Sequence, residues 1–201
     1  MRRALVLALG LSVPGLIAQD AATPAAPPTP MKFTPTKPGP EMEKLKATLG
    51  IWKVEEIHEA GPWGPAGKGH GIGHVTEGPG GLSVYIDYRS TAGQMKGYHG
   101  HAILGWDAES KTYKQTWIDN YAPIVMHATG AWDGDHFVTT TEGTMMGKPF
   151  KGKDTFTFEG KRGFTIVSEM SMGDAPMQKM MTLVHRHAAA KPAKAEGNQP
   201  K

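Results

Sequence analysis

Residues 124–142 read Ile-Val-Met-His-Ala-Thr-Gly-Ala-Trp-Asp-Gly-Asp-His-Phe-Val-Thr-Thr-Thr-Glu. At their centre Asp133-Gly134 is flanked by Ala131-Trp132 and His136-Phe137. An Asp-Gly pair supplies the backbone angles of a tight hairpin turn, and the flanks are rich in residues that favour strands. This stretch therefore specifies two antiparallel strands.

The same rhythm continues in both directions. Upstream, strands are expected over Ile51–Glu59, Lys68–Glu77, Leu82–Arg89, Met95–Trp106, Thr112–Asp119 and Ile124–Trp132. Downstream they are expected over His136–Glu142, Phe150–Phe158, Gly163–Ser171 and Met177–His187. Turn chemistry separates them, including Gly61-Pro62, Gly78-Pro79-Gly80-Gly81, Gly147-Lys148-Pro149 and Gly173-Asp174. Ten short strands without crossover helices imply an antiparallel meander, and a long meander removes its edges by closing into a barrel. Such a barrel fills its interior with side chains or holds one small ligand. The one helix expected is Glu41–Leu49, with Met42, Leu45 and Leu49 on one face, Pro40 at its start and Gly50 at its stop. It would cap one mouth.

Composition limits what lies outside this core. Of 16 prolines in 201 residues, only six lie between Glu41 and His187. The same interval holds 15 Lys+Arg against 17 Asp+Glu, so the formal charge of +3 comes from the chain ends. A nucleic-acid-binding core is not indicated. Cysteine is absent, which excludes disulfides, a thiolate nucleophile and a thiolate zinc site. Residues 1–18, with Arg2-Arg3 ahead of an apolar run from Ala4 to Ile17, read as a signal peptide too short to span a bilayer. The expectation is export to the periplasm or beyond, with no membrane anchor. Residues 19–40 carry seven prolines among alanine and threonine and read as a disordered linker, 41–187 as the barrel, and 188–201 as a disordered basic tail.

Leu49-Gly50-Ile51-Trp52 places a Gly-x-Trp at the start of the first strand after a short helix. This resembles the lipocalin and broader calycin signature, in which the tryptophan plugs one end and an arginine from a late strand stacks over it. Arg186 in the last strand is similar to that second element. More of the chain resembles a bacterial family known as domain of unknown function 1579. The likeness runs from Pro38-Gly39-Pro40-Glu41 through Leu104-Gly105-Trp106-Asp107 and Thr116-Trp117-Ile118-Asp119 to Met180-Met181-Thr182-Leu183-Val184-His185-Arg186. It implies an all-β fold, a single antiparallel up-and-down calycin-like barrel of about ten strands with a short N-terminal helix. It implies no activity and supplies no catalytic residues.

Three constellations bear on function. All nine histidines lie in the core. On a strand, residues i and i+2 share a face, so His99/His101 and His185/His187 can each offer two imidazoles to one metal ion. His127, His58 and Glu56 could complete such a site if the barrel brings them near; otherwise these are ordinary strand histidines or members of a polar wall. A haem held by one histidine is a further alternative, because some ten-stranded calycin-type barrels bind haem so. The methionines, including Met145-Met146, Met170-x-Met172 and Met180-Met181, read as core or cavity-lining hydrophobes, with Cu(I) ligation as the rival. Finally Tyr98, Trp106, Tyr113, Trp117 and Trp132 are spread over three of the expected strands and can line a ligand pocket or pack the sheet.

No serine sits in a Gly-x-Ser-x-Gly elbow, and Gly67-x-Gly69-x-Gly71-x-Gly73 is glycine alternation on a strand with no helix after it. Asp107 and Asp119 read as turn-capping carboxylates. The expected function is an exported, non-enzymatic barrel that binds a small, partly apolar molecule and needs no cofactor. A periplasmic metal- or haem-binding protein is the alternative, and an enzyme the third reading.

Overall fold

A computed structural model describes residues 34–62 and 64–188. The signal peptide expected at 1–18, the linker up to residue 33 and the tail from residue 189 lie outside the described residues. The chain forms a ten-stranded closed antiparallel barrel with a short helix on its N-terminal side. The helix α1 covers Pro40–Leu45. The strands are β1 Gly50–His58, β2 Gly67–Glu77, β3 Ser83–Ala92, β4 His99–Asp107 and β5 Thr112–Asp119. They continue as β6 Met126–Asp133, β7 His136–Met145, β8 Lys148–Phe158, β9 Gly163–Met172 and β10 Gln178–His187. Each strand pairs with its neighbours in sequence, and β1 pairs with β10 to close the wall.

Two boundaries differ most from expectation, for visible reasons. The helix gives way after Leu45 to a 3-10 turn over Lys46–Thr48. There the Thr48 hydroxyl donates to the Leu45 carbonyl at 2.7 Å and the Trp52 indole N–H donates to the Thr48 carbonyl at 2.7 Å. Two carbonyls that would continue the helix are thereby claimed by side chains. The fourth strand starts at His99, because residues 93–98 form a loop with Gly93 and Gly97 at φ 90° and 94°.

Strand alternation assigns side chains to the two faces, with register irregularities at His70/Gly71 and Lys179/Met181. In β1, Trp52, Val54, Glu56 and His58 face inward and are buried. In β2 the inward positions Gly69, Gly71 and Gly73 carry no side chain. The two ends of the barrel then differ. At the helix end Met42 and Leu45 of α1 descend onto Trp52, Val75, Val84, Leu104, Tyr113, Phe137 and Phe164. The Tyr113 hydroxyl donates to the Glu41 carbonyl at 2.9 Å, and the Lys44 ammonium lies 5.1 Å above the Trp132 ring. This end is plugged. Burial of so many large apolar side chains, each contributing roughly 2–3 kcal/mol, makes it the main source of stability.

The closing contact is not the one the sequence suggested. Trp52 pairs across the β1–β10 ladder with His187, and Arg186 pairs with Lys53 on the outer face. The His187 imidazole stacks on the Trp52 indole at 3.8 Å, and Phe164 meets it edge-on at 4.9 Å. Arg186 instead bonds Glu159 at 3.2 Å from outside the wall. The correction is one of parity: adjacent residues of a strand point to opposite faces, so Arg186 cannot reach an inward indole that His187 covers.

Candidate functional site

The half of the lumen away from α1 is built differently from the plugged half. Its polar centre is Glu56, 1% exposed, which accepts the Tyr88 hydroxyl at 2.5 Å and lies 3.1 Å from His58 Nε2. The bare strand β2 makes this possible. A Cβ on Gly69 would collide with the Glu56 carboxylate, and one on Gly71 with the Tyr88 phenol. Glu56 of β1 and Tyr88 of β3 therefore meet across an intervening strand that has no side chains to separate them. Burial, then the bond to Glu56, pushes the Tyr88 phenol well above its ordinary pKa. Beside them Ser90 is buried with no hydrogen-bond partner for its hydroxyl among the described residues.

A second polar group stands next to the first. The Tyr88 and Tyr98 rings are 6.3 Å apart, and Tyr98 lies parallel to Trp117 at 6.4 Å. The Tyr98 hydroxyl donates to Asp119 at 3.2 Å, and the Trp117 indole N–H lies 3.1 Å from both the Tyr98 oxygen and the Asp119 carboxylate. Gly100 is bare for the same reason as Gly71, since a Cβ there would overlap the Trp117 ring. Asp119 also accepts the backbone N–H groups of Tyr121 and Ala122, so its turn-capping role is as expected.

Asp154 on β8 is the third member. It accepts the Ser168 hydroxyl at 2.5 Å and a hydrogen bond from Thr139, and burial holds its pKa above the ordinary carboxylate value. Burial, then the nearby charges of Asp119 and Asp154, push the Tyr98 phenol up in turn, and Asp154 faces the lumen from its register position on β8 opposite Thr139. Around these groups Trp117, Asp119, Met126, Ile166, Ser168, Met170, Met181 and Leu183 face inward yet are only half-buried. Inward side chains that keep accessible surface bound a space that water can reach. The loops at this mouth also carry exposed apolar side chains: Tyr121, Val125, Met146 and Met177. A shallow groove of about 490 Å³ on the outer wall, lined by Lys53, Glu55, His70 and Arg186 among others, gathers no comparable set of buried polar groups.

The structure distributes the sequence candidates between these regions. All five aromatic candidates sit on the lumen side of the wall, in two groups. Trp106, Tyr113 and Trp132 pack at the plugged end, with Trp106 4.9 Å from Tyr113 and the Trp132 N–H donating to the Tyr113 hydroxyl at 3.1 Å. Tyr98 and Trp117 belong to the polar half. The five histidine candidates are not brought together. His99 and His101 lie on the outer face, 3.0 and 3.9 Å from Asp87, and His127 contacts Thr116 outside the wall. His185 and His187 lie at the plugged end against Phe164 and Trp52. Among the described residues no group of three or more His, Asp or Glu side chains is arranged to hold a metal ion. Burial lowers the His185 pKa to about 4, which keeps that ring neutral.

Asp154, Tyr88 and Ser90 were not among the candidates. A signal for Asp154 was present: Phe150, Gly152, Asp154, Phe156 and Phe158 share one parity, and a lone carboxylate on an aromatic face is a buried polar group that needs partners.

Comparison with known proteins agrees with this architecture. A family model described as "Protein of unknown function (DUF1579)" matches residues 37–187. The crystal structure of Rv2717c from M. tuberculosis superposes with a TM-score of 0.55 at 12% identity, covering 75% of this chain and 98% of that one. At that identity the likeness is one of fold. No curated protein matches the chain.

Proposed function

The chain belongs to the DUF1579 family over residues 37–187, and from that premise we propose that it is a binding barrel for one small, partly apolar molecule. The ligand enters at the mouth opposite α1 and lies against Tyr98, Trp117 and Asp154. The observation that carries this reading is the asymmetry of the lumen. One half is packed with aromatic side chains under a helix, while the other holds buried hydrogen-bonding groups beside inward residues that solvent reaches. A purely structural barrel gains nothing from carboxylates on its inner wall, because burying each costs free energy that its hydrogen bonds only offset. A binding lumen needs them: such sites are largely apolar with a few fixed polar groups that orient the guest. Residues 1–18 support export, which would place the barrel in the periplasm or outside the cell, where small molecules are captured.

The neutral fluorophore N-phenyl-1-naphthylamine tests this reading. It should bind the full chain with one saturable site and brighten. Trp117→Leu should weaken binding about fivefold to tenfold, the effect of losing one aromatic contact of roughly 1 kcal/mol. Trp132→Phe, at the plugged end, should leave affinity unchanged. Equal loss in both variants, or no saturable binding, would remove the proposal.

A further inference from the structure

The polar half of the lumen is one-sided in charge. Glu56, Asp119 and Asp154 face inward, whereas every lysine and arginine on the described strands has outward parity except Lys148, which stands exposed at the rim end of β8. Lys53 pairs with Arg186 on the outer face, and Lys153 with Glu169. Arg89 lies outside with Asp87. Among the buried inward side chains of this half on the described strands, the one basic group is His58, and it is occupied by Glu56. Apart from His58, the donors that reach the three carboxylates are neutral: the Tyr88, Tyr98, Ser168 and Thr139 hydroxyls, the Trp117 indole and two backbone amides.

Aromatic faces add to this. Tyr98 and Trp117 stack beside Asp119, with Tyr121 edge-on to Tyr98 at 5.2 Å. A ring face presents negative electrostatic potential, as a carboxylate does, and a cation is stabilised by both. A negatively charged guest would instead meet three carboxylates in a partly desolvated lumen, where like charges repel strongly.

We propose that the ligand carries a positively charged nitrogen, a protonated amine or alkylammonium on an apolar body, seated between Asp154 and the Tyr98–Trp117 pair. The inference rests on the binding reading above and names the chemistry of its guest. The apolar body lies along Ile166, Met170 and Met126, the two methionines adapting to irregular shapes. Asp154 is suited to the charged head because its two bonds come from hydroxyls, which can rotate to leave an oxygen free. Its raised pKa adds a consequence: a cation favours the ionised carboxyl, so binding releases a proton and tightens as pH rises. Glu56, His58, Tyr88, Tyr98 and Asp119 are the other titratable groups facing this space from the described strands and the loop before β4, with Lys148 exposed at its rim, and Glu56 and Asp119 reinforce the preference for a cation.

The test uses the full chain loaded with N-phenyl-1-naphthylamine and three displacers of equal length: octylammonium, octanol and octanoate. Octylammonium should displace the probe at a concentration about tenfold below octanol, the effect of one charge-assisted contact, with octanoate weakest. In Asp154→Asn the ammonium should lose its advantage and fall to the level of octanol. Added salt should weaken octylammonium and leave octanol alone in the unmodified chain, so the claim does not depend on that variant folding. If octanol or octanoate matches octylammonium while the probe still binds, the charge preference is wrong and the binding lumen stands. If the probe binds nowhere, the lumen reading falls and takes this inference with it.

Discussion

His185 should make the barrel acid-sensitive, and its contribution can be separated from all others. The imidazole is 6% exposed, stacks on Phe164 at 4.2 Å and keeps Nδ1 3.3 Å from the Leu183 carbonyl. Burial first, and the nearby Arg186 charge after it, lower its pKa from 6.5 to about 4. The unfolded chain therefore holds more protons than the folded one between these values, and stability falls as pH drops through that window. A shift of about 2.5 units at roughly 1.4 kcal/mol per unit sets a ceiling near 3 kcal/mol, of which about 2 kcal/mol is lost by about pH 5. Asp154 works in the opposite sense, since its raised pKa favours the folded state in acid. The comparison must therefore be with a variant that lacks only the histidine. His185→Gln cannot charge, and urea unfolding followed by tryptophan fluorescence at about pH 7.5 and about pH 5 gives the difference. The unmodified chain should lose about 2 kcal/mol more than the variant over this interval. Parallel losses within about 0.5 kcal/mol, or a histidine titrating near its ordinary value by NMR, would refute the burial argument.

Three further outcomes follow from the packing. Gly71→Ala places a methyl group on the Tyr88 phenol and should destabilise the barrel by about 1–3 kcal/mol, with most of the cost relieved in a Tyr88→Ala background when both are measured by urea unfolding. Trp52→Ala should cost about 3–5 kcal/mol, and a double-mutant cycle should find Trp52 coupled to His187 by more than about 0.5 kcal/mol but additive with Arg186. Asp154→Asn removes a carboxyl whose ionised form burial disfavours, so at neutral pH it should raise the melting temperature or leave it level; a fall of several degrees would mean that the ionised group is stabilising.

The order of strands was open to inspection because turn chemistry punctuates nearly every boundary, from Gly78-Pro79-Gly80-Gly81 to Asp133-Gly134. Closure followed from the number of strands. What could not be read was the register, and the errors cluster there. Assigning Arg186 rather than His187 to Trp52 is a displacement of one residue, which on a strand exchanges inside for outside. The histidine pairs failed to converge for a related reason: His99/His101 and His185/His187 each share a face, but one face is outside and the other lies under the helix. The Glu56–Tyr88 bond was hidden more deeply. It spans 32 positions and depends on two glycines in the strand between, which sequence alone presents as a weak strand with nothing to contribute. Glu56 entered the sequence reading only as a possible metal ligand, and Asp154, a lone charge on an otherwise aromatic face, carried a legible signal that was not taken up.

The central claim is that a small molecule occupies the lumen half away from α1, and the methionines report on it directly. Met126, Met170 and Met181 face into that half, whereas Met146 and Met177 project from its rim, 82% and 41% exposed. With the methionine methyl groups labelled with carbon-13, the full chain is titrated with N-phenyl-1-naphthylamine and followed by two-dimensional NMR. The methyl signals of Met126, Met170 and Met181 should shift together and saturate at one equivalent. Shifts confined to Met146 and Met177, or a lumen set that stays still while the probe binds, would place the ligand outside the barrel and contradict the account.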